Sequence, residues 1–309
     1  MAYAERMAYT LMESDAAVEL RRLRKSYGAN LVIDEVDLTV PAGSVFALLG
    51  PNGAGKTTIV NVLSTLIPFD GGSATVMGHD VRSEPARVRR EIAVTGQFAA
   101  VDELLTGREN LTMFARLNRV PRARLRSRVD AMLDGFDLAQ AADRRVRGYS
   151  GGMKRRLDLA ISMLIRPRVL FLDEPTTGLD PRSRAAVWEF VRELARDGVT
   201  ILLTTQYLDE ADQLADGLAL LDGGRIVAEG SPADLKRRVG TEIVHIEYSD
   251  GRSLNLPTDG SFAGIREAML GVDGADLVAA VEIRTPSLDD VFFTLTGQAA
   301  ARQSEGASA

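Results

Sequence analysis

The sequence predicts an α/β fold built around a mainly parallel sheet. Short apolar runs of strand length alternate along the chain with amphipathic, helix-like segments, as at 169–172 and 181–196. Such alternation is typical of parallel strands joined by helices. A glycine-rich run at 50–58, between an apolar run and a helix-like segment, favours the same class, because ligands of these folds lie at the carboxyl ends of the strands.

The first half of the chain begins with strand-like sequence and then becomes helical. Alternating residues predict strands at 18–24 and 33–40, and Gly71-Gly72 opens a hairpin that leads to 74–77. From about 101 to 166 the pattern is mostly helical. This stretch predicts a helical segment inserted into the α/β alternation. Further strands are predicted at 92–95, 200–205, 218–221 and 225–228, and a further helix at 208–215.

The character of the sequence changes again after about Val239. Strand-like runs at 243–248 and 253–256 flank Ser249-Asp250-Gly251, which is a good hairpin turn. Another strand is predicted near 277–283. These features predict a small α+β domain over 240–298.

Composition limits the possible functions. The 309 residues suggest one large domain with an appendage, or two modest domains, and the net charge of −6 implies no general affinity for nucleic acid. The chain has no cysteine and two histidines, which excludes disulfides, thiol catalysis and histidine-rich metal centres. No apolar stretch approaches the roughly 20 residues that cross a bilayer, so we expect no direct membrane span.

The glycine-rich run has the context of a phosphate-binding loop, or P-loop. It follows the apolar run 45–49 and leads into a helix-like pattern. Glycines let backbone N–H groups wrap a phosphate chain, and a helix N-terminus adds a favourable dipole. The alternative is an ordinary glycine turn before a helix. The candidate ATP-binding residues here are Gly50, Pro51, Asn52, Gly53, Ala54, Gly55, Lys56, Thr57 and Thr58.

Two later motifs connect this loop to a known family. The run 149–156, with Ser150-Gly151-Gly152 at its core, precedes a helix-like segment, and Asp173-Glu174-Pro175 follows an apolar run soon after. Together with the P-loop, these motifs resemble those of the nucleotide-binding domain of ABC transporters over about 17–235. Tyr149 and Met153 stand where the family more often has Leu and Gln.

The resemblance implies a domain organisation. It suggests an N-terminal extension at 1–16, an ABC nucleotide-binding domain at 17–239 with a helical subdomain at about 98–166, and the accessory domain at 240–298. We expect the small, polar tail 299–309 to be disordered. The closing run 286–297 resembles the C-terminal end of ATPase subunits from daunorubicin-resistance type drug exporters.

The resemblance also assigns roles in ATP chemistry with Mg²⁺. Lys56 and the P-loop backbone would hold the phosphates, while Thr57 and Asp173 would hold the metal. Glu174 would be the general base for the attacking water. Taken alone, Asp173-Glu174-Pro175 would more simply be a solvated acidic turn, and only the other motifs argue against that interpretation.

Three further residues gain a role only from their position. Gln97 matches the glutamine that contacts Mg²⁺ or the lytic water, and Asp180 matches the D-loop that crosses to a partner site. Tyr27, after the first strand, matches the aromatic residue that stacks on adenine. A tyrosine at a strand end is otherwise a common packing residue.

The signature residues imply a dimer. In the family, Ser150, Gly151 and Gly152 cap ATP bound to a facing subunit rather than to their own chain. With one P-loop and one signature motif, this chain would need a second copy of itself or a similar ATPase subunit to complete either site.

One position departs from the commoner family pattern. Gln206 occupies the switch region, where most members carry histidine. An amide can donate a hydrogen bond to a γ-phosphate, but it cannot become cationic. Either hydrolysis persists, supported by Glu174, Lys56 and Asp173, or the site binds ATP and hydrolyses it poorly. The daunorubicin type itself resembles the glutamine form, which favours the first alternative.

The resulting hypothesis is an ATP-hydrolysing exporter subunit. It would lie at the cytoplasmic side of the membrane as a peripheral protein and drive small amphipathic compounds through a separate permease. The segment 101–111 resembles the region where a permease helix docks, although Thr106 and Glu109 also predict an ordinary capping box.

Two alternatives remain open. One is a regulatory ATP-binding module with weak hydrolysis, suggested by Gln206. The other is a non-transport ABC protein, although neither a second cassette nor a long coiled coil is evident in the sequence. A GTPase is excluded because no asparagine is followed by lysine, so the guanine-reading motif is absent.

Overall fold

The computed structural model describes residues 16–96, 101–240, 242–270, 272 and 277–295. The chain divides into two units, the first ending at Glu229 and the second beginning at Gly230. Gln97 and the segments 1–15 and 299–309 lie outside the described residues. The domain boundaries given above stay predictions.

The first unit contains the predicted strands and helices with small changes at their ends. Its strands are β1 (Ala16–Tyr27), β2 (Asn30–Pro41), β3 (Val45–Leu49), β4 (Gly71–Val76), β5 (His79–Asp80), β6 (Ile92–Thr95), β7 (Val169–Asp173), β8 (Thr200–Thr205), β9 (Gly217–Asp222) and β10 (Arg225–Gly230). Its helices are α1 (Lys56–Leu63), α2 (Pro85–Glu91), α3 (Gly107–Leu117), α4 (Arg122–Gly135), α5 (Gly151–Ser162), α6 (Pro181–Arg196) and α7 (Leu208–Leu214).

A six-stranded sheet carries the candidate site. Its strand order is β10-β9-β3-β8-β7-β6, and β3, β7 and β8 pair in parallel. Every residue of these three strands is buried, as expected for parallel strands covered on both faces. The register pairs Leu49 with Thr205 and Asp173 with Thr204. The carboxyl ends of the three strands, and the loops that follow them, therefore lie side by side.

The sequence did not predict that some of the predicted strands form a second, separate sheet. The predicted strands at 18–24 and 33–40 belong to a four-stranded sheet with the order β2-β1-β4-β5, whose neighbours pair antiparallel. Helix α1 contributes to one buried apolar cluster with residues of both sheets, including Ile59, Leu23 and Phe171. This packing fixes the start of α1, and with it the P-loop, between the two sheets.

The helical insertion is confirmed. Helices α3, α4 and α5 pack against one another between β6 and β7 in the chain. Thr106 and Glu109 form the predicted capping box at the start of α3. The buried Asn110 side chain accepts the Asp102 N–H and donates to the Thr106 carbonyl, so it anchors the preceding loop to the helix.

The second unit has the predicted α+β character. Its elements are α8 (Pro232–Val239), β11 (Glu242–Tyr248), β12 (Ser253–Thr258), α9 (Phe262–Leu270), β13 (Val278–Arg284) and α10 (Leu288–Leu295). The three strands form an antiparallel sheet with β11 in the centre. The predicted hairpin joins β11 to β12, and Gly251 supplies its positive φ of 85°.

Candidate functional site

The P-loop connects β3 to α1, and two of its glycines leave no room for a side chain. A Cβ at Gly50 would lie 2.2 Å from the Leu221 carbonyl oxygen, and one at Gly55 would lie 2.5 Å from Ile33 Cδ1. Gly55 also has a φ of 111°, which disfavours other residues. No side-chain hydrogen bond caps the start of α1. Its first N–H groups and its dipole therefore form an anion-binding end.

Lys56 is folded back onto this loop. Its Nζ donates to the Gly50 carbonyl at 2.7 Å and to the Pro51 carbonyl at 3.0 Å, and lies 3.8 Å from Glu174 Oε1. The residue is only 4% exposed. Burial lowers the pKa of Lys56, and the nearby charges of Glu174 and Asp173 oppose that shift. The site thus holds a buried cation beside the loop that would bind phosphate.

Asp173 ends β7 and meets the first turn of α1. The Thr57 hydroxyl donates to Asp173 Oδ2 at 2.9 Å, and the Thr204 hydroxyl donates to Oδ1 at 2.5 Å. Carboxylate and hydroxyl oxygens are ligands that suit Mg²⁺. The donor set of Thr57 and Asp173 therefore fits this metal, and Thr204 fixes the carboxylate from β8. Sequence reasoning missed Thr204, whose position opposite Asp173 follows only from strand register.

Glu174 follows β7 in an unusual backbone conformation. Its φ is 48°, a left-handed value that costs energy in a residue with a side chain. Its N–H donates to the Thr204 carbonyl at 3.1 Å, which holds the backbone in this conformation. The Thr177 hydroxyl donates to Glu174 Oε2 at 3.2 Å. The carboxylate is thereby held at the edge of the cluster that contains Lys56 and Asp173.

The signature motif begins α5, away from this cluster. Ser150 is the N-cap, and its Oγ accepts the Met153 N–H at 3.2 Å. Among the described residues, no hydrogen bond or ion pair joins Ser150 to the P-loop of the same chain. Gly152 is packed so closely that a Cβ there would lie 2.5 Å from Ser183 Oγ.

Ser183 links the signature motif to the D-loop. Asp180 caps the N-terminus of α6 by accepting the Ser183 N–H at 3.0 Å and the Ser183 hydroxyl at 2.7 Å. These hydrogen bonds lower the pKa of Asp180, with the hydroxyl bond contributing most. Sequence reasoning missed Ser183, although an aspartate three residues before a serine at a helix start is a capping signal.

Tyr27 ends β1 and is 50% exposed. Lys25 Nζ lies 5.3 Å from the centroid of its ring, and Asp70 Oδ1 accepts a hydrogen bond from the same Nζ at 3.3 Å. A partly exposed ring beside a cation suits a stacking surface. No described hydrogen bond or ion pair brings Tyr27 to Lys56, so its nucleotide role stays a prediction.

Gln206 follows β8 at the same edge of the sheet. The Thr205 hydroxyl accepts the Tyr207 N–H at 2.9 Å and forms a tight turn around it. Within the described parts of the chain, no hydrogen bond holds the Gln206 side chain. Gln97 lies outside the described residues, and its predicted contacts stay untested.

The buried Arg155 of α5 was also missed. It donates to the carbonyl of Gly96, the residue before Gln97, at 2.8 Å and pairs with Asp158 at 3.3 Å. Burial lowers its pKa, opposed by Asp158, Glu210 and Asp173. Its Nε and second terminal nitrogen are buried without a partner in the described structure. No local pattern in the sequence indicates that this arginine, in a run of basic residues, would be internal.

Comparison with known proteins identifies the family. The model of the ABC transporter family matches residues 33–177. The daunorubicin/doxorubicin resistance ATP-binding protein DrrA of Streptomyces peucetius is 47% identical over 309 aligned residues, which cover 92% of this chain and 93% of that protein. The chain belongs to the ABC transporter ATP-binding family. The Nod factor export ATP-binding protein I of Sinorhizobium fredii is 38% identical and covers 93% of this ABC protein.

Solved structures agree with the fold of this ABC protein. The ATP-binding subunit of an ABC transporter superposes with a TM-score of 0.67 at 26% identity and covers 91% of the chain. The P-loop ATPase fold, the ATP-binding function and the ATPase class expected from sequence are therefore confirmed. None of the helices in the described residues is long and apolar enough to cross a membrane. The roles of individual site residues stay predictions.

Proposed function

We propose that this ABC protein is the ATP-hydrolysing subunit of an exporter for small amphipathic compounds, working with a separate membrane permease. The observation that carries the proposal is the cluster of Lys56, Thr57, Asp173 and Glu174 at the carboxyl ends of β3 and β7, in which Lys56 and Asp173 are buried. The relatives at 47% and 38% identity, which are named for daunorubicin/doxorubicin resistance and for Nod factor export, support the direction of transport.

The first task of the cluster is to bind the phosphates of ATP. The N–H groups of Gly53 to Thr58 and the N-terminus of α1 attract negative charge. Lys56 already lies at this end, held by the two carbonyls of its own loop. Because its charge is buried, an incoming phosphate group is a better partner than those neutral carbonyls. Lys56 therefore moves from the loop to the phosphate oxygens.

Thr57 and Asp173 would hold Mg²⁺, which neutralises phosphate charge when bound. Thr204 keeps one oxygen of Asp173 engaged, so the carboxylate presents a fixed orientation. Glu174, held by its backbone bond to β8, orients the attacking water and accepts its proton at a carboxylate oxygen. Gln206 donates its amide N–H to the transferred phosphoryl group, and Gln97 would contact Mg²⁺ or the lytic water.

The second half of each site comes from a facing subunit. Ser150 Oγ and the N–H groups of Gly151 and Gly152 begin α5 and form another anion-binding helix end. Among the described residues, no hydrogen bond or ion pair joins these groups to their own P-loop, so they are suited to ATP on a second copy or a similar ATPase subunit. Asp180, on the D-loop, and Tyr27, which would stack on the adenine ring, would complete the ATP-binding pocket.

The proposed location follows from the partner. A subunit that couples to a permease lies at the cytoplasmic side of the cell membrane as a peripheral protein. Leu104, which is 70% exposed beside the capping box of α3, belongs to the surface proposed to meet the permease.

Mg²⁺-dependent ATP turnover tests this function. The full-length chain is compared with Glu174→Gln, alone and with the permease that co-purifies with it from membranes. We expect turnover to fall at least about a hundredfold in Glu174→Gln while ATP binding is retained. ATP binding without turnover in the unmodified protein would instead favour a regulatory module. That alternative is suggested by Gln206, and Gln206→His would then be the next variant.

A further inference from the structure

Helix α6 contacts the segment that follows the switch glutamine. The indole Nε1 of Trp188 on α6 donates to Glu210 Oε1 on α7 at 3.1 Å. Glu210 is 1% exposed. A buried carboxyl group requires a hydrogen-bond donor, because an unsatisfied one costs its full desolvation energy. The contact therefore ties α7 to α6 at a fixed point.

A second contact lies one helical turn earlier on α6. Arg184 pairs with Asp209 at 3.1 Å, and its guanidinium lies 5.2 Å from the centroid of the Tyr207 ring. Asp209 is more than half exposed, so this pair contributes little by itself. Together with Trp188, however, it holds both the turn and the helix that follow Gln206.

The residue before Gln206 joins the same network. The Thr205 hydroxyl accepts the Tyr207 N–H. Burial raises the pKa of Glu210, and hydrogen bonds from Thr205 and Trp188 oppose the shift. The backbone is thus fixed on both sides of Gln206, while no described hydrogen bond fixes the side chain itself.

We propose that Trp188 and Glu210 are positioning residues that fix the switch backbone so that the Gln206 amide reaches the transferred phosphoryl group. The inference rests on the proposed ATPase mechanism. A glutamine side chain is long and flexible, so aligning its amide costs conformational entropy. A rigid backbone lowers that cost, since misplacement of a contacting group by about 1 Å can reduce a rate a hundredfold. Asp180 is the N-cap of helix α6, so the same helix also connects the switch to the D-loop.

A double-mutant cycle on ATP turnover tests the inference. Trp188→Phe removes the N–H donor and keeps an aromatic ring. We expect it to lower kcat by about 5- to 50-fold with little change in KM, as for a group that acts only in the transition state. In a Gln206→Ala background, the same change should lower kcat by less than about twofold, because the residue being positioned is gone.

Conservative and control variants separate positioning from general damage. Glu210→Gln keeps an acceptor oxygen for the indole and should retain at least about half of the turnover, while Glu210→Leu should behave like Trp188→Phe. Arg192, on the same helix, donates to the Gln213 carbonyl at the far end of α7. Arg192→Gln removes an α6–α7 contact remote from Gln206 and should leave kcat unchanged. Thermal midpoints of all variants are measured in parallel.

The outcomes are distinct. The positioning role would be overturned if the fold-losses in kcat from Trp188→Phe and Gln206→Ala multiply in the double variant. It would also be overturned if Gln206→Ala is as active as the unmodified chain. A loss in Glu210→Gln as large as in Glu210→Leu would also overturn it. Absence of turnover in the unmodified full chain with its permease would instead remove the proposed function itself.

Discussion

The contact between Gly152 and Ser183 makes a quantitative prediction. In Gly152→Ala, the new Cβ would lie 2.5 Å from Ser183 Oγ and 2.8 Å from Ser183 Cβ. The Cβ of Ser183 cannot move away by side-chain rotation, so α5 and α6 must separate. Overpacking of this kind costs about 1–3 kcal/mol. The Ser183 hydroxyl also bonds to Asp180, so displacing it weakens the cap of α6 as well.

Ser183→Gly is the matched compensating change. It removes both clashing atoms and keeps the backbone N–H that Asp180 accepts at 3.0 Å, at a helix cost of up to about 1 kcal/mol. In urea denaturation of the full chain, we expect Gly152→Ala to lose about 1–3 kcal/mol of unfolding free energy. In a double-mutant cycle with Ser183→Gly, the favourable coupling should be about 1–2 kcal/mol. Additive effects, or an unchanged midpoint in Gly152→Ala, would refute this packing argument.

ATP turnover of the same double mutant separates two roles of Gly152. If the glycine serves only to pack against Ser183, Gly152→Ala/Ser183→Gly should recover most of the turnover lost in Gly152→Ala. We expect stability to recover and turnover to remain at least about tenfold low, because a methyl group at the start of α5 also obstructs the helix end that caps a facing nucleotide.

Three further predictions follow from the site. Tyr27→Ala should raise KM for ATP about 5- to 30-fold in steady-state assays with kcat nearly unchanged, while Tyr27→Phe retains stacking and should keep the original KM. A KM in Tyr27→Ala equal to that of the unmodified chain would argue for a packing role. Thr57→Ala should raise the Mg²⁺ concentration for half-maximal turnover at least about tenfold, with Thr57→Ser as control; an unchanged Mg²⁺ titration would remove Thr57 as a ligand. Burial raises the pKa of Glu210 above 4.5 in the folded protein. The buried carboxylate therefore lowers the free energy of unfolding at pH values above the folded pKa, and this loss disappears as the pH falls toward 4.5. Glu210→Gln should therefore gain stability relative to the unmodified chain at about pH 7.5 and lose that gain near pH 5 in urea titrations; a pH-independent difference would contradict the assignment.

The sequence predicted most of the secondary structure because its local signals were strong. The runs that became β3, β7 and β8 are mostly apolar, buried at every position and bounded by turns or motifs, as is typical of buried parallel strands. The capping box of α3 could be predicted from Thr106 and Glu109 alone. The separate antiparallel sheet could not be predicted, because the alternation of apolar and polar residues along a strand does not indicate which strands pair.

The candidate site was predictable to the extent that its residues lie in motifs. Lys56, Thr57, Asp173 and Glu174 meet as expected. Residues that act through tertiary contacts were missed. Thr204 depends on the register of β7 against β8, and Arg155 is internal only because α5 packs beside Gly96. A single sequence contains no local signal for either contact.

Helix α6 shows why these tertiary contacts matter for the chemistry. Its N-terminal Asp180 is the predicted D-loop residue, Ser183 packs against the signature glycine Gly152, and Trp188 holds the helix after Gln206. An α-helix transmits displacement along its axis because each turn is bonded to the next. Three loops that would meet nucleotide are therefore attached to one rigid element. Movement of the D-loop when a second subunit closes on ATP would reach the switch glutamine through this helix, with no need for a contact between the loops themselves.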